Sequence, residues 1–191
     1  MWGTSREGGF SLIEALLAAA LLVTVAVGVA GIGARAARAN LAARARTAAV
    51  LAAVQKLEQL RSLAYGAEVD VANGSTVRIT DLTTDLSVEP AGAGGPGLAA
   101  SPAGTLDDNV PPYVDYLDSA CAWVGSGASP PRAAVYVRRW AVAPLPEDPA
   151  DTVVLQVVVL AVVDAGRRTP GPPSSPAGEV RLVSLKTRRS S

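Results

Sequence analysis

The chain has 191 residues, a length that suits one domain with an appendage or two small units. Its 17 basic and 17 acidic side chains cancel, so the overall charge does not indicate nucleic acid or a membrane surface as a partner. It contains no histidine and a single cysteine, which excludes an internal disulfide, serine–histidine and cysteine–histidine nucleophile pairs, and most zinc sites. We therefore predict a protein that is not an enzyme and that holds no metal and no cofactor.

The charges are unevenly distributed along the chain. Between Phe10 and Tyr65 there are six basic and two acidic side chains, whereas from Gly66 onward there are ten basic and fourteen acidic ones. The two parts of the chain are therefore expected to face different surroundings or different partners.

A polar leader and a long apolar run open the chain. Residues 1–9 are polar and end in two glycines. From Ala15 to Ala34 no residue is charged, and as a helix these twenty residues measure about 30 Å, the thickness of a bilayer's hydrocarbon core. The run exceeds the roughly 7 to 15 apolar residues of a cleaved secretory signal. We predict that residues 10–34 form a transmembrane half-helix; a buried helix of a soluble protein is the alternative.

Residues 35–65 change in character but keep a helical pattern. Apolar side chains recur at three- and four-residue spacing, separated by charged and amide side chains; they are Val50, Val54, Leu57, Leu60 and Ala64. This spacing predicts an amphipathic helix with one face to bury. No proline occurs between Phe10 and Ala64, so both halves should form one helix on the order of 80 Å long. Gly66 is expected to end it in the left-handed conformation.

Residues 66–191 have the composition of a β-domain. Four runs rich in Val, Leu and Thr are bounded by Gly, Pro or Asp, at 75–82, 133–142, 151–164 and 179–188. The third is apolar on both alternating faces, which predicts a central strand, and the fourth should be its antiparallel neighbour. Gly/Pro-rich loops are expected at about 90–112 and 166–178. The predicted fold class is α+β, with the long helix packed on a small antiparallel sheet.

Glu14 is unexpected so close to the apolar run. An ionised carboxylate deep in a bilayer costs about 2.5 to 3.5 kcal/mol, so such acids often have a function, although near a helix N-terminus the helix dipole also favours an acid. The sequence from Gly8-Gly9 through Phe10-Ser11-Leu12-Ile13-Glu14 resembles the processing site of type IV prepilins and type II secretion pseudopilins. The resemblance implies cleavage by a prepilin peptidase between Gly9 and Phe10, followed by N-methylation of Phe10. It also implies that Glu14 pairs with the N-terminal ammonium of an adjacent subunit during filament assembly.

The same resemblance implies a fold, partners and a location. The run Glu58-Gln59-Leu60-Arg61 is similar to the end of the long helix in minor pilins and pseudopilins, so a pilin-like fold is implied. The expected partners are prepilin peptidase, other pilin or pseudopilin subunits, an inner-membrane assembly platform, and membrane lipid before assembly; no direct nucleic acid binding is expected. The implied location is the bacterial inner membrane, with the N-terminus cytoplasmic and the β-domain extracytoplasmic, and then the filament.

Two features depart from the family pattern. Many major pilins carry a mid-span proline, where this chain has Gly28, Gly31 and Gly33, and the C-terminal disulfide of many pilins is impossible with one cysteine; the latter favours a minor subunit. Four arginines follow the span and by the positive-inside rule would place the β-domain in the cytoplasm, opposite to the prepilin orientation; they are Arg35, Arg38, Arg44 and Arg46. As assembly contacts, they would face acidic surfaces of neighbouring subunits.

Two other classes of protein remain open from the sequence. One is a signal-anchored membrane protein whose extracytoplasmic domain binds a ligand or partner without forming filaments. The other is a secreted enzyme cleaved after Ala39, where the residues fit a small-x-small pattern. The sequence does not distinguish among a pilus, a type II secretion system and a DNA-uptake system.

Several further residues are candidates for lesser roles. Four aspartates could offer oxygen ligands to calcium, but their spacing does not justify a calcium-binding loop and we expect solvated loop acids; they are Asp107, Asp108, Asp115 and Asp118. We expect the Arg138-Arg139 and Arg167-Arg168 pairs to be exposed. Trp123 and Trp140 are expected in the core or at its rim, and Cys121 is expected to be a small buried hydrophobe.

Overall fold

The computed structural model describes residues 11–70, 72–165 and 179–190. The chain divides into two compact units, Met1–Ala43 and Arg44–Ser191. The predicted leader, Phe10, the loop at 166–178 and the Arg167-Arg168 pair lie outside the described residues, so the predictions made for them stay predictions.

One long helix and a set of short and long strands make up the described chain. Helix α1 covers Leu12–Ser62, within the predicted limits of residues 10–64. The strands and the single-turn helix α2 follow in this order: β1 Gly66–Asp70, β2 Ser75–Arg78, β3 Thr84–Asp85, β4 Gly92–Ala93, β5 Val114–Leu117, β6 Trp123–Ser126, β7 Tyr136–Leu145, β8 Asp148–Ala161, α2 Val162–Ala165, β9 Val180–Thr187 and β10 Arg189–Ser190.

The main sheet is antiparallel, with strand order β6-β5-β7-β8-β9. The predicted central strand is confirmed, because β8 pairs with β7 on one side and with β9 on the other. The run at 75–82 does not join this sheet. Its first four residues form β2, which pairs with β1 in a separate sheet of order β10-β1-β2. The predicted α+β class is confirmed.

Within the second unit, α1 packs on the main sheet through small side chains. Three alanines of the helix are almost completely buried together with Leu57 and Leu60; they are Ala49, Ala52 and Ala53. The prediction for the buried face was correct for Leu57 and Leu60 and wrong for three other positions, because Val50, Val54 and Ala64 are exposed. The buried face of α1 is therefore made largely of alanine, with Leu57 and Leu60 beside it.

The C-terminal end of α1 is held by a lysine from the main sheet. Nζ of Lys186 on β9 donates to the carbonyl oxygens of Arg61 and Leu63, the latter at 2.5 Å. These carbonyls have no partner inside the helix, and a cation also suits the negative end of the helix dipole. The predicted left-handed Gly66 is wrong, because Gly66 is the first residue of the extended strand β1. The cap comes from a distant strand, and the local sequence did not indicate it.

Candidate assembly segment and buried charge cluster

Helix α1 begins beside the residues that resemble a prepilin processing site. The carbonyl oxygen of Ser11 accepts hydrogen bonds from the backbone N–H groups of Glu14 at 3.0 Å and Ala15 at 3.1 Å, which closes the first turn. Glu14 therefore lies in that first turn, where the helix dipole favours an acid. Its side chain is exposed and has no hydrogen-bonding or ion-pair partner among the residues that the structure describes. Gly9 and Phe10, the other predicted site residues, lie outside that part of the chain.

The apolar half of α1 is fully exposed. Every described residue from Ser11 to Thr47 is exposed, and the large side chains among them show well over half of their surface, as do Leu16, Leu22, Val27 and Ile32. A helix of this length and composition can cross a membrane. A row of exposed leucine and valine is unfavourable in water, so this segment needs lipid or other protein around it.

The three glycines of the apolar half have open space around them. A Cβ atom added at Gly28, Gly31 or Gly33 would meet no atom of the chain within 4 Å. Packing within the described chain therefore gives no reason for glycine here, although glycine lowers helix stability relative to alanine by roughly 1 kcal/mol. An external surface that approaches the helix backbone closely would supply such a reason.

The arginines that follow the apolar run are all exposed. Arg35 and Arg38 are one turn apart and so share one side of the helix in the first unit. In the second unit, Arg44 and Arg46 are two residues apart and point in different directions. The alternative cleavage site after Ala39 lies inside α1, with helical residues on both sides.

A group of buried charges joins α1 to the main sheet and was not predicted. Asp115 on β5 lies directly opposite Arg138 on β7, and both are at most 1% exposed. Arg138 donates to the two carboxylate oxygens of Asp115, from Nε at 2.8 Å and from Nη2 at 2.7 Å. Its Nη1 reaches the helix and donates to the carbonyl oxygen of Ala52 at 3.1 Å and to Oε1 of Gln55 at 3.3 Å. This arginine therefore connects the sheet to the helix backbone.

Lys56 adds a second cation to the group. Its Nζ lies 2.8 Å from Oδ2 of Asp115, donates to the carbonyl oxygen of Leu86 at 2.5 Å, and is 4.3 Å from the centre of the Trp140 ring. The ring face attracts the ammonium group. Burial lowers the pKa of Lys56 to about 8, with Asp115 opposing the shift and Arg138 adding to it. Two cations share one carboxylate, so the buried group carries an excess positive charge.

The structure corrects two predictions about charged residues. Arg138 and Arg139 were predicted to be exposed and are 1% and 2% exposed. Arg139 points to the other face of the sheet, where Nε and Nη2 donate to Oδ1 of Asn109 and Nη1 donates to the carbonyl oxygen of Asp107. It thereby holds the loop before β5 in place. Burial of both guanidinium groups is tolerated because each donates several hydrogen bonds to protein acceptors.

Two of the four aspartates considered for calcium have other partners in the structure. Asp115, predicted as a solvated loop acid, is a buried strand residue committed to Lys56 and Arg138. Oδ1 of Asp118 accepts hydrogen bonds from the backbone N–H groups of Ala120 and Ala122 and so stabilises the turn at these residues. Within residues 11–70, 72–165 and 179–190, no group of three or more acidic or cysteine side chains could hold a metal ion.

The remaining candidates lie near the helix–sheet contact. Trp140 is completely buried, and Trp123 is half-buried at the rim, with its Nε1 donating to the carbonyl oxygen of Ser87. Cys121 is half-buried, packs against the apolar core and adopts a left-handed φ of 61°. Burial raises the pKa of its thiol.

Comparison with known proteins adds no family assignment. No protein-family model matches the chain, and no significant match to a curated protein or a solved structure is found.

Proposed function

We propose that this chain is a structural subunit, a minor pilin or pseudopilin, of a type IV pilus or a type II secretion filament. Prepilin peptidase would cleave between Gly9 and Phe10 and methylate the new amine. The subunit would remain in the inner membrane through residues 10–34 until assembly transfers it into a filament. It would act by assembly with other subunits, without catalysing a reaction.

The position of Glu14 carries the proposal. The resemblance to prepilins ties Gly9, Phe10 and Glu14 together at fixed spacing, and Glu14 lies in the first turn of α1. Its carboxylate has no partner in the described part of the chain, while the residues that follow it are apolar and exposed. In a low-dielectric environment, an unpaired carboxylate is costly and attracts an ammonium group strongly. The amine released by cleavage, on a neighbouring subunit, is a suitable counter-ion.

The α+β arrangement supports the same proposal. A single helix supplies an exposed apolar half and a half whose small residues pack on an antiparallel sheet. The prepilin resemblance implies the same arrangement, in which one half of the helix serves as membrane span and assembly segment and the other half packs on the β-domain. A signal-anchored binding protein would also have an apolar span, but it would not require Glu14 or the glycine before Phe10.

The first experiment tests processing. We expect co-expression with a prepilin peptidase to yield a mature chain that begins at methylated Phe10, as measured by intact-mass and N-terminal peptide spectrometry. Gly9→Val should block cleavage, and Gly3→Val, a change in the same leader, should not. An unprocessed wild-type chain would favour the signal-anchored reading, and a mature chain beginning at Asn40 would favour the secreted enzyme.

The second experiment tests assembly separately from processing. Glu14→Leu should be cleaved normally but should be lost from filaments when expressed beside the other subunits of its system. Glu58→Leu, a change at an exposed acid in the docked half of α1, should be incorporated normally. If Glu14→Leu enters filaments at the wild-type level, the proposed role of Glu14 is wrong.

A further inference from the structure

Two arginines follow the apolar half of α1 without a spacer. Residues 15–34 carry no charge, Arg35 is the next residue, and Arg38 comes one turn later in the same helix. Both lie in the first unit of the chain, and both are exposed. When the uncharged residues cross the roughly 30 Å of a bilayer's hydrocarbon core, Arg35 reaches the level of the lipid headgroups, and Arg38 lies about 4.5 Å further along the helix axis. The position of the two arginines along the helix therefore matches the layer that holds the lipid phosphates.

The chain supplies no counter-ion for these two guanidinium groups. Neither group makes a hydrogen bond or an ion pair with any residue in the part of the chain that the structure describes. The sequence has no acidic side chain from residue 15 to residue 57, so α1 offers no acid three or four residues away from either arginine. An exposed cation at the border of a hydrocarbon layer attracts an anion strongly, because the dielectric constant is low on one side of it. The anion must therefore come from another molecule.

The two arginines are close enough to act on one headgroup. Residues three apart on a helix lie on one side of it, with their Cβ atoms about 5 to 6 Å apart. The four residues that directly flank the two arginines are exposed alanines, so no large side chain shields the guanidinium groups. A guanidinium group can donate to two oxygens of a phosphate at once, and it stays charged at every relevant pH. The pair is therefore suited to hold a phosphate beside the helix.

We propose that Arg35 and Arg38 bind the headgroup phosphate of an anionic phospholipid. A zwitterionic headgroup carries its own cation beside the phosphate, whereas an anionic headgroup leaves its negative charge to the arginines, so anionic lipids should be preferred. Lipid is favoured over an acidic protein surface as the partner, because headgroups surround the end of a membrane span wherever no other protein has displaced them. The inference rests on the membrane span of the proposed function, and it requires neither cleavage after Gly9 nor assembly into a filament.

The test uses the full, unprocessed chain in detergent micelles and native mass spectrometry. Dioleoylphosphatidylglycerol and dioleoylphosphatidylcholine share their acyl chains and differ in headgroup charge. Each is titrated separately, and the fraction of chains that carry one lipid gives a dissociation constant. We expect the anionic lipid to bind roughly twentyfold more tightly, since each arginine near an anionic surface contributes about fivefold. Equal dissociation constants for the two lipids would overturn the proposal.

Variants of the protein locate the site. Arg35→Gln and Arg38→Gln should each lower the preference for the anionic lipid about fivefold, and the double variant should abolish it. The double variant Arg44→Gln/Arg46→Gln removes the same charge from exposed positions that do not adjoin the apolar run, and it should keep the preference. Glutamine forms helices nearly as well as arginine, so the variants should keep the helix, which far-UV circular dichroism checks.

Three outcomes would contradict the proposal. An equal loss of preference in the two double variants would show that the position of the charge does not matter. Displacement of the bound lipid by glycerol 1-phosphate, which has the phosphate without acyl chains, would overturn the assignment to lipid. A variant Arg35→Gln/Arg38→Gln that keeps its lipid preference but enters filaments poorly would assign the arginines to contacts with other subunits. Failure of prepilin peptidase to cleave the chain would leave these measurements unaffected, because they use the unprocessed chain.

Discussion

Asp115 and Arg138 lie opposite each other on neighbouring strands and are joined by two hydrogen bonds, and the same carboxylate lies 2.8 Å from Nζ of Lys56 on the helix. The helix and the sheet are therefore connected by charge as well as by apolar packing. The carboxylate favours one register of helix on sheet, because a shift of the helix would leave Lys56 buried without its anion, whereas Asp115 and Arg138, both on the sheet, would stay paired.

Removal of the shared carboxylate should destabilise the β-domain strongly. We expect Asp115→Asn to lower the free energy of unfolding by about 3 to 5 kcal/mol, since it leaves Lys56 and Arg138 buried without an anion. Lys56→Met should cost less, because a balanced pair remains. Urea denaturation of the full chain in detergent, followed by tryptophan fluorescence, gives both values. Asp108→Asn, at an exposed acid, is the control, and equal losses for Asp115→Asn and Asp108→Asn would contradict the role of the cluster.

Stability should rise at alkaline pH because of Lys56. Its pKa is lowered to about 8 in the folded state, whereas the unfolded chain keeps the ordinary value of 10.5. Between pH 8 and pH 10.5 the unfolded state binds more protons than the folded state, so the free energy of unfolding rises with pH. The contribution of Lys56 to this free energy is fully present above pH 10.5 and is lost as the pH falls through 8. The expected change is on the order of 3 kcal/mol. The charged groups that face Lys56 are Asp115, Arg138 and, more weakly, Glu89.

The measurement is the free energy of unfolding at several pH values between 7 and 10, compared between the wild type and Lys56→Met. Other groups act in the opposite direction, because burial raises the pKa of Cys121, Tyr113, Tyr116 and Tyr136 and so lowers stability above their ordinary values. These contributions are common to both proteins and cancel in the difference. If the difference in the free energy of unfolding between the wild type and Lys56→Met does not change with pH, Lys56 does not titrate in this range.

The end of α1 should depend on Lys186. We expect Lys186→Met to increase amide hydrogen exchange in the last turn of the helix, because the carbonyls of Arg61 and Leu63 lose their donor, with a loss of stability of roughly 1 kcal/mol. Arg181→Met changes a basic residue that projects from the other face of β9 and should not affect the helix end. Exchange at residues 59–63 is the decisive measurement, and similar rates in both variants would contradict the capping role.

The alanine face of the helix should not accept larger side chains. Ala53 is completely buried against the core, so Ala53→Leu should cost about 1 to 3 kcal/mol through overpacking. Ala42→Leu makes the same change at an exposed position of the same helix and should be close to neutral. Thermal denaturation of both variants tests the burial register directly. A neutral Ala53→Leu would mean that the space around the Ala53 side chain is not tightly packed.

The glycines of the apolar half should matter only when another molecule is present. A Cβ atom at position 31 meets no atom of the chain within 4 Å, and the residues around it are exposed, so Gly31→Leu should leave the fold and the yield of the single subunit unchanged. If the subunit enters a filament, we expect the same variant to reduce incorporation, because a neighbour could no longer approach the helix backbone. Quantitative immunoblotting of sheared filaments is the measurement, with Leu22→Ile as a control of similar volume.

Sequence periodicity predicted the elements whose pattern is local. The long helix, the central position of β8 and its antiparallel pairing with β9 follow from composition, the absence of proline and strand-like alternation, and the structure confirms all three. β5 and β6 were missed because each has four residues and lies among glycine and proline, too short for alternation to be recognised. β2 was predicted, but its separation into another sheet depends on pairing that spacing does not encode.

The charged core was missed for a different reason. Lys56, Asp115 and Arg138 each look like surface residues, and only their convergence makes burial favourable. A signal was present, because Lys56 falls three or four residues from Ala52, Ala53 and Leu60 and so shares their face of the helix. Val50 and Val54 satisfy the same spacing, three residues before Ala53 and Leu57, so spacing alone did not exclude them. Large apolar side chains were given more weight than alanines, which pack closely but contribute little hydrophobicity.

The contact between Lys186 and the last turn of α1 sets an order of events during synthesis. Arg61 and Leu63 are synthesised early, whereas Lys186, whose Nζ donates to their carbonyl oxygens, lies more than a hundred residues later in the chain. The apolar half of the helix therefore leaves the ribosome, and could enter a bilayer, long before the helix end gains its cap. Folding of the sheet onto the helix is a late step, and it would be completed on the side of the membrane to which the last strand is delivered.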